Sequence, residues 1–313
     1  IEKTAFISQP ATERGGRDTG CRTALEKSDL FVKRFAGRQE VYAQAKSGRF
    51  FPACANIWSE DCHIRLKDGV FCNECEIRKF LPLDNSAALA HINGTQPLAV
   101  YLIQSDGRIC FGALDFDSVG YNFEDLTRVV EVLENWGIEC LIARSTTAGF
   151  HVYLFFSSPC APALFRTVAL AALQISGLSA LALEGKRGTH VEIYPKQAHT
   201  KNLGSAIRPP MIEPRLIDGR NCIVTRKNEV VPDQWSALAN AKLVDPVHLE
   251  KLIKINNFQV LELKSSRPAV SSGRDNRSKS WSPSDSPSRS GTEWLFRISP
   301  GRGSRGQAGP YPS

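Results

Sequence analysis

The chain has 313 residues, of which 42% are hydrophobic and 23% are charged, so it can bury the core of one or two domains. No apolar run approaches the roughly 20 residues of a membrane helix, which predicts a protein without a membrane partner. Of the net charge of +7, residues 265–313 carry +5 from eight basic and three acidic side chains, which leaves +2 for residues 1–264. Nine cysteines, four of them clustered, favour a reduced, cytoplasmic protein with one metal site over a disulfide-linked secreted protein.

The N-terminal part of the chain divides into an arm, a helical stretch and a cysteine-rich segment. Residues 1–21 lack periodicity and predict a loose arm. Between 23 and 45, apolar residues recur at roughly helical spacing on both sides of Gly37, which predicts two short helices. Residues 51–83 contain the four clustered cysteines.

Two apolar runs, at 99–103 and 109–116, are joined by a turn that contains Asp106 and Gly107. Asp-Gly between apolar runs is typical of hairpins, so we predict that these two strands pair. Strands joined by helices predict an α+β fold in which a mixed or antiparallel sheet is covered on one face. The remaining predicted elements are a helix through Leu126 and Leu133 that Gly137 ends, strands at 140–143, 151–156, 191–194 and 203–207, a helix at 162–175, and a helical stretch at 229–258.

The domain organisation follows from these elements and from a change in composition near residue 265. Ser, Pro, Gly and Arg dominate the end of the chain, which is typical of a segment that cannot bury enough surface to become ordered. The predicted parts are a loose arm (1–21), a main domain (22–264) with a zinc-binding segment (51–83), a catalytic core (96–215) and a helical part (229–258), and a disordered basic tail (265–313).

A pair of carboxylates ends the strand at 109–116. In Ala113-Leu114-Asp115-Phe116-Asp117, Asp115 and Asp117 point to one face of the strand, with Cα atoms about 6.6 Å apart. Two like charges held this close favour a shared hard cation such as Mg²⁺ or Mn²⁺. An isolated pattern of this kind is also typical of a solvated acidic turn, so the choice depends on residues further along the chain.

A polar loop, Arg144-Ser145-Thr146-Thr147-Ala148-Gly149-Phe150-His151, lies between two predicted strands. The hydroxyls of Ser145 and Thr146, the backbone N–H groups and the His151 imidazole can converge on one anionic group, as the parts of a phosphate cradle do. The alternative is a Ser/Thr turn followed by a structural histidine.

Glu192 lies inside the apolar strand at 191–194, where a charge without a partner is costly. A metal ion shared with the aspartate pair would supply that partner, and a salt bridge with a nearby Lys or Arg is the ordinary alternative. Lys196 and Arg208 follow in the chain and are candidate contacts to phosphate or template.

Taken in this order, the three motifs resemble those of the archaeo-eukaryotic primase superfamily, the primase-polymerases. Its members carry a D-x-D strand, then a Ser/Gly loop that ends in His, then an acidic residue in a third strand. The similarity covers about residues 25–215 and is greatest to the primases of TOTE-type conflict systems. The stretches that carry this closer similarity are 35–43, 52–58, 80–83 and 151–156.

The resemblance implies an RRM-like catalytic core that transfers nucleotides under the direction of a DNA template. The acidic residues would be catalytic and would hold two Mg²⁺ or Mn²⁺ ions, and the polar loop would grip the triphosphate of an NTP or dNTP. The implied partners are a DNA template and primer, with helicase and nuclease domains or subunits joined to the primase. The implied site residues are Asp115, Asp117 and Glu192 for catalysis and metal binding, and Ser145, Thr146 and His151, with Lys196 and Arg208, for the nucleotide.

The clustered cysteines are spaced as Cys54-x7-Cys62-x9-Cys72-x2-Cys75. The closing C-x-x-C is a common zinc half-site, although the first pair is more widely spaced than usual. We predict a small insertion in which four thiolates hold a structural Zn²⁺. A Cys₃His set that uses His63, or four reduced cysteines without metal, are the alternatives.

The sequence therefore predicts a DNA primase or polymerase, a nucleotidyltransferase with a zinc-binding insertion. Two other classes of protein use the same residues differently. A metal-dependent nuclease or phosphoesterase would degrade DNA without nucleotides. A non-catalytic, zinc-binding nucleic-acid module would depend on the cysteines and not on Asp115.

Overall fold

A computed structural model describes residues 22–46, 48–67, 69–116, 122–178 and 191–258. All of them belong to the first of the two compact units of the chain, Ile1–Lys264. The predicted arm at 1–21, the predicted tail at 265–313 and the predicted ligand Asp117 lie outside the described residues.

The described residues form short helices and strands in an α+β arrangement, and none of these helices has the length and apolar character needed to cross a membrane. The helices are α1 (Ala24–Arg34), α2 (His63–Leu66), α3 (Asn85–Ile92), α4 (Phe123–Asn135), α5 (Pro162–Ile175), α6 (Glu213–Leu216), α7 (Gln234–Ala239) and α8 (Pro246–Ile255). The strands are β1 (Ala43–Lys46), β2 (Arg49–Pro52), β3 (Leu98–Tyr101), β4 (Ile109–Phe116), β5 (Leu141–Arg144), β6 (Phe150–Cys160), β7 (Glu192–Tyr194), β8 (Ala206–Ile207), β9 (Ile223–Val224) and β10 (Leu243–Val244).

The strands form two sheets. The smaller has the order β2-β1-β3-β8, and the larger has the order β7-β4-β6-β5-β9 with β10 beside β6. Among the described strands, every pair is antiparallel except β10 and β6, which are parallel. The predicted α+β class with a mixed or antiparallel sheet is confirmed.

The predicted hairpin between β3 and β4 is wrong. The turn itself forms, since the Gln104 N–H donates to the Arg108 carbonyl at 2.9 Å. However, β3 pairs with β1 and β8, whereas β4 pairs with β6 and β7. All four residues of β3 are buried, so its apolar pattern shows burial but not which sheet the strand joins.

The second of the two short helices predicted between 23 and 45 is also wrong. The chain leaves α1 at Phe35 and becomes strand β1, in which Ala43 pairs with Ala99. Gly37 makes this path possible, because a Cβ atom there would lie 2.3 Å from the Tyr101 carbonyl oxygen. The close approach places the residues after Gly37 beside β3, where backbone hydrogen bonding in the sheet replaces a helix.

The helical stretch predicted at 229–258 is two helices with β10 between them. Asp233 and Asp245 begin α7 and α8, since their side chains accept the N–H groups of Ser236 and Val247 at 2.9 Å. Such capping carboxylates satisfy donors that have no partner within the helix. Each aspartate therefore marks a new helix start within the apolar stretch.

The larger sheet is covered on both faces, not on one as predicted. On one face, Phe165 of α5 lies so close that a Cβ atom at Gly112 would be 2.5 Å from its ring. On the other face, Phe35 packs edge-to-face against Tyr153 and Phe155 of β6. Among the described residues of β4 and β6, Asp115 and His151 lie on this second face, near the end of β4 and the start of β6.

Candidate active site

Three predicted site residues lie in one row across the larger sheet. Asp115 on β4 pairs with Glu192 on β7 on one side and with His151 on β6 on the other. Residues directly opposite each other in antiparallel strands share a face and have Cα atoms about 5 Å apart. Residues from three motifs, up to 77 positions apart in the numbering of the chain, therefore meet at one place.

Each described carboxylate of the row already has a cation or a hydrogen-bond donor against it. The His151 Nε2 atom lies 3.3 Å from the Asp115 Oδ1 atom, and the Asp115 side chain is 21% exposed. Glu192 accepts a hydrogen bond from the Tyr194 hydroxyl at 2.8 Å and pairs with the Lys196 ammonium at 2.8 Å. Both carboxylates thus reach solvent and attract positive charge, which is the donor set that a hard divalent cation requires.

The Lys196 contact is the salt bridge that was the ordinary alternative for Glu192. The Lys196 side chain is 42% exposed, so it can move away from the carboxylate at little cost. Its backbone N–H donates to the Ser205 hydroxyl at 2.9 Å. The backbone at Lys196 is therefore held while its ammonium group is free to exchange partners.

Ser145 and Thr146 have different roles in the polar loop. The buried Ser145 hydroxyl accepts the N–H groups of Thr147 and Gly149, both at 3.2 Å. It therefore forms the Ser/Thr turn that was the alternative to a direct phosphate contact. The Thr146 hydroxyl accepts a hydrogen bond from the Arg208 guanidinium, so it faces the second predicted nucleotide-binding region.

Arg208 reaches the site from the smaller sheet, one residue beyond β8. Its guanidinium lies 4.8 Å from the ring centre of Phe50, and its Nε atom is buried without a hydrogen-bond partner among the described residues. Burial lowers the pKa of Arg208 below its usual value, but a guanidinium remains charged throughout the physiological range. Arg208 thus has spare donor capacity beside the loop, as an anion-binding residue needs.

Tyr153 is a residue of this site that the sequence motifs do not identify. It is fully buried, and its hydroxyl contacts the His151 Nδ1 atom at 2.7 Å and the Arg208 carbonyl at 3.0 Å. Burial raises its pKa well above 10, and the charge of Asp115 adds to this shift. His151 and Tyr153 are two residues apart on one strand, which places them on the same face, and this spacing is the signal that could have revealed the contact.

The end of β7 is held by a buried cation. Arg166 on α5 is 2% exposed and donates from Nη1 to the Pro195 carbonyl at 2.6 Å. Pro195 directly follows β7, the strand that carries Glu192. Arg166 therefore fixes the position of an edge strand that is only three residues long.

Comparison with known families agrees with this geometry. Residues 26–252 match the family described as "TOTE conflict system, Archaeo-Eukaryotic Primase domain". The chain belongs to this family. The resemblance inferred from the motifs is therefore confirmed, and at the level of the family the domain is a primase-polymerase, a class of nucleotidyltransferase.

Among solved structures, the TOTE primase domain is similar to the polymerase domain of ligase D from Mycobacterium tuberculosis, which was solved in complex with DNA. The two are 14% identical, with a TM-score of 0.39, over 75% of this chain and 90% of the other. No curated protein matches the chain.

The four clustered cysteines of this TOTE primase domain line one pocket, together with His63. Antiparallel pairing of Cys54 with Phe80 brings the two ends of the segment together. Within the described ranges, no three His, Cys, Asp or Glu side chains are already arranged as a metal-binding group. The four thiols thus line a common pocket, but in the described residues they are not arranged in the geometry of a metal site.

The electrostatics of the thiols favour a bound cation. Burial raises the pKa of Cys72, and the nearby thiolates of Cys62, Cys75 and Cys54 raise it further. Burial also raises the pKa of Cys62, but backbone hydrogen bonds, first among them one with Trp58, bring it below the usual value. Thiolates that repel one another in one pocket form a donor set that suits Zn²⁺.

Proposed function

We propose that this domain extends a primer by template-directed nucleotidyl transfer, as a DNA primase or polymerase. The observation that carries the proposal is the row of Glu192, Asp115 and His151 across three adjacent strands. Two carboxylates on one side of His151 and a polar loop on the other provide separate places for metal ions and for a triphosphate.

The carboxylates fit two divalent cations. Asp115 and Glu192 would hold Mg²⁺ or Mn²⁺ together with Asp117, which is two residues beyond Asp115. Two bound ions lower the pKa of a primer 3′-hydroxyl and stabilise the charge on the attacking and leaving oxygens. The position of Glu192 directly opposite Asp115 in the sheet supports this role.

The residues on the other side of the row bind the nucleotide. His151 presents Nε2 to the site, and Arg208 has donors to offer a phosphate oxygen. Thr146 lies against Arg208, while Ser145 shapes the loop. Lys196, whose ammonium pairs with Glu192, would be available to contact the triphosphate if Glu192 held a divalent cation. Cationic donors of this kind position a triphosphate and stabilise the charge that develops on it.

The cysteine-rich segment holds a structural Zn²⁺ through Cys54, Cys62, Cys72 and Cys75. Their common pocket supports this assignment. The metal would replace the hydrophobic core that so short a segment cannot form. Zinc would thus stabilise a surface insertion of the primase and take no part in nucleotide transfer.

We also propose a cellular setting for the activity. The substrates are a DNA template with a primer and an NTP or dNTP, and the domain acts in the cytoplasm within a conflict system, alongside helicase and nuclease domains or subunits. Contacts with DNA phosphates would give a linear fall of log affinity with log salt concentration. An affinity that does not change with salt would contradict a nucleic-acid partner.

A primer-extension assay tests the catalytic proposal. Purified protein is given a primed DNA template, Mn²⁺ or Mg²⁺, and dNTPs or NTPs. We expect extension by the wild type and a loss of at least about 100-fold in Asp115→Asn and in Glu192→Gln, because charge stabilisation at the reacting oxygens is lost. Asp106→Asn is the matched control, since Asp106 lies in the exposed turn before the same strand.

Other outcomes separate the alternatives. Equal extension by Asp115→Asn, Glu192→Gln and the wild type would overturn the catalytic assignment. Degradation of the DNA without any nucleotide, lost in both variants, would indicate a nuclease. DNA binding without either activity, lost in the cysteine variants alone, would indicate a zinc-binding recognition module.

A further inference from the structure

A second row of side chains lies directly behind the catalytic row on the same face. One step along the pleat, Ala113 on β4 pairs with Tyr194 on β7 and with Tyr153 on β6. Each tyrosine hydroxyl contacts the first-row residue of its own strand, Glu192 at 2.8 Å and His151 at 2.7 Å.

The direction of the hydrogen bonds at Tyr153 follows from its second partner. A backbone carbonyl can only accept, so the single phenol proton is donated to the Arg208 carbonyl, 3.0 Å away. The phenol oxygen must then accept from the His151 Nδ1 atom at 2.7 Å. His151 therefore carries a proton on Nδ1, and Nε2 is the ring atom that faces Asp115 at 3.3 Å.

We propose that Tyr153 is a positioning residue for nucleotide binding. It accepts the Nδ1–H of His151 and so fixes the orientation of the imidazole, and its other hydrogen bond fixes the backbone of Arg208. This inference rests on the proposed function, because it assigns Tyr153 to the nucleotide-binding side of that site. One buried hydroxyl thus sets the positions of two nucleotide-binding residues that come from different sheets.

The burial of this network gives the hydroxyl its effect. Tyr153 is fully buried and His151 is 8% exposed, so water cannot readily replace a lost partner. Without the hydroxyl, the Nδ1–H group and the Arg208 carbonyl would both be buried without a partner, which is costly. The ring of His151 would then rotate, and Nε2 would no longer be held towards the site.

The decisive variant is Tyr153→Phe, which keeps the ring and removes only the hydroxyl. We expect the KM for the incoming nucleotide to rise about tenfold, the factor that one lost hydrogen bond gives, with a smaller change in kcat. Tyr42→Phe is the matched control, because Tyr42 is also buried but lies before β1. The double variant Tyr153→Phe/His151→Ala should weaken nucleotide binding by less than the product of the two single effects, since part of the effect of the hydroxyl passes through the imidazole and part through Arg208.

A spectroscopic measurement tests the hydrogen bond from Nδ1–H to the Tyr153 hydroxyl directly and does not need activity. In protein labelled with ¹⁵N-histidine, the His151 Nδ1 resonance should be that of a protonated ring nitrogen, with assignment by loss of the signal in His151→Ala. Tyr153→Phe should shift this resonance, because the oxygen that accepts the Nδ1–H is removed, and Tyr42→Phe should leave it unchanged. An unprotonated Nδ1 in the wild type would overturn the proposal whether or not the variant folds.

The two proposals fail in different ways. If His151→Ala weakens nucleotide binding and Tyr153→Phe does not, only the positioning role is wrong. If neither variant affects nucleotide binding although the protein extends primers, the nucleotide-binding role of His151 is wrong as well.

Discussion

The carboxylate row and the cysteine-rich segment are positioned by opposite means. The strands that carry Asp115, Glu192 and His151 lie in a sheet that is covered on both faces. One of them, β6, is 11 residues long. The segment between Cys54 and Phe80 is mostly turns, with one four-residue helix, α2. Leu66 and Phe71 in this segment are 55% and 47% exposed.

This difference shows which part of the domain depends on a metal ion for its structure. Burial of apolar area stabilises the sheet, so the positions of the carboxylates do not depend on a metal ion. The cysteine-rich segment buries little apolar area and has two non-glycine residues in the left-handed region, Trp58 at φ 71° and Lys67 at φ 56°. A metal ion would therefore organise the segment, whereas at the carboxylates it would only occupy a site already formed.

The largest expected effect is the loss of order in the cysteine-rich segment when zinc is removed. Structural zinc in small sites binds with about 10 kcal/mol or more at neutral pH. We expect one zinc per chain by elemental analysis. After chelation, backbone amides at 54–80 should lose their protection from hydrogen exchange, while those of β4 and β6 should keep theirs.

Cysteine substitutions control for unspecific effects of the chelator. The double variant Cys72→Ser/Cys75→Ser should reproduce the loss of protection, and Cys140→Ala, outside the segment, should not. If protein purified without zinc still protected its amides at 54–80 from hydrogen exchange, the cysteine-rich segment would not depend on a metal ion for its structure.

A smaller effect is expected where the sheet is packed most tightly. Gly112→Ala would place a Cβ atom 2.5 Å from the Phe165 ring, which costs about 3 kcal/mol in a close-packed core. Gly69→Ala in the cysteine-rich segment meets nothing within 4 Å and pays only about 1 kcal/mol for its positive φ. Urea unfolding of both variants measures the difference, and an equal loss of stability would show that the two regions are packed alike.

The smallest of the three effects concerns pH. His91 is fully buried between the Leu98 N–H and the Pro210 carbonyl, and burial lowers its pKa from 6.5 to about 4. Below pH 6.5 the unfolded chain takes up a proton at His91 that the folded chain does not, so the free energy of unfolding falls as the pH is lowered. Linkage gives a loss of about 2 kcal/mol between pH 7 and pH 4.5.

The variant His91→Gln isolates this contribution from that of the acidic residues. It should be less stable than the wild type at pH 7 and should lose about 2 kcal/mol less on acidification. Urea unfolding at the two pH values provides the measurement. If the variant and the wild type lost the same free energy of unfolding on acidification, His91 would not contribute to the acid sensitivity of the protein.

Strands and helices with a strong local signal could be predicted from the sequence. Strand β4 and helix α5 have the predicted bounds, 109–116 and 162–175, because continuous apolar runs are delimited there by a turn and by a proline at the start of a helix. The close approach of Asp115, Glu192 and His151 followed from family resemblance, since no local pattern specifies which strands are neighbours.

What the sequence did not reveal depends on contacts between distant residues. The hairpin prediction failed because an Asp-Gly turn specifies a reversal of the chain and not the partner of each strand. Tyr153 belongs to the apolar run of β6, and its hydroxyl acquires a role only because Arg208 approaches from the other sheet. The salt bridge between Lys196 and Glu192 likewise depends on the course of the chain after β7.

The buried Arg166 has a consequence for judging whether related genes encode working enzymes. It touches none of the reacting groups, yet it holds the backbone that follows the glutamate strand. A related gene that keeps every acidic motif but replaces this arginine with an aliphatic residue would look intact in a search for the motifs. In its product, the strand that carries the residue equivalent to Glu192 would be held less firmly at its end. Surveys of intact and decayed copies should therefore score this helix position together with the motifs.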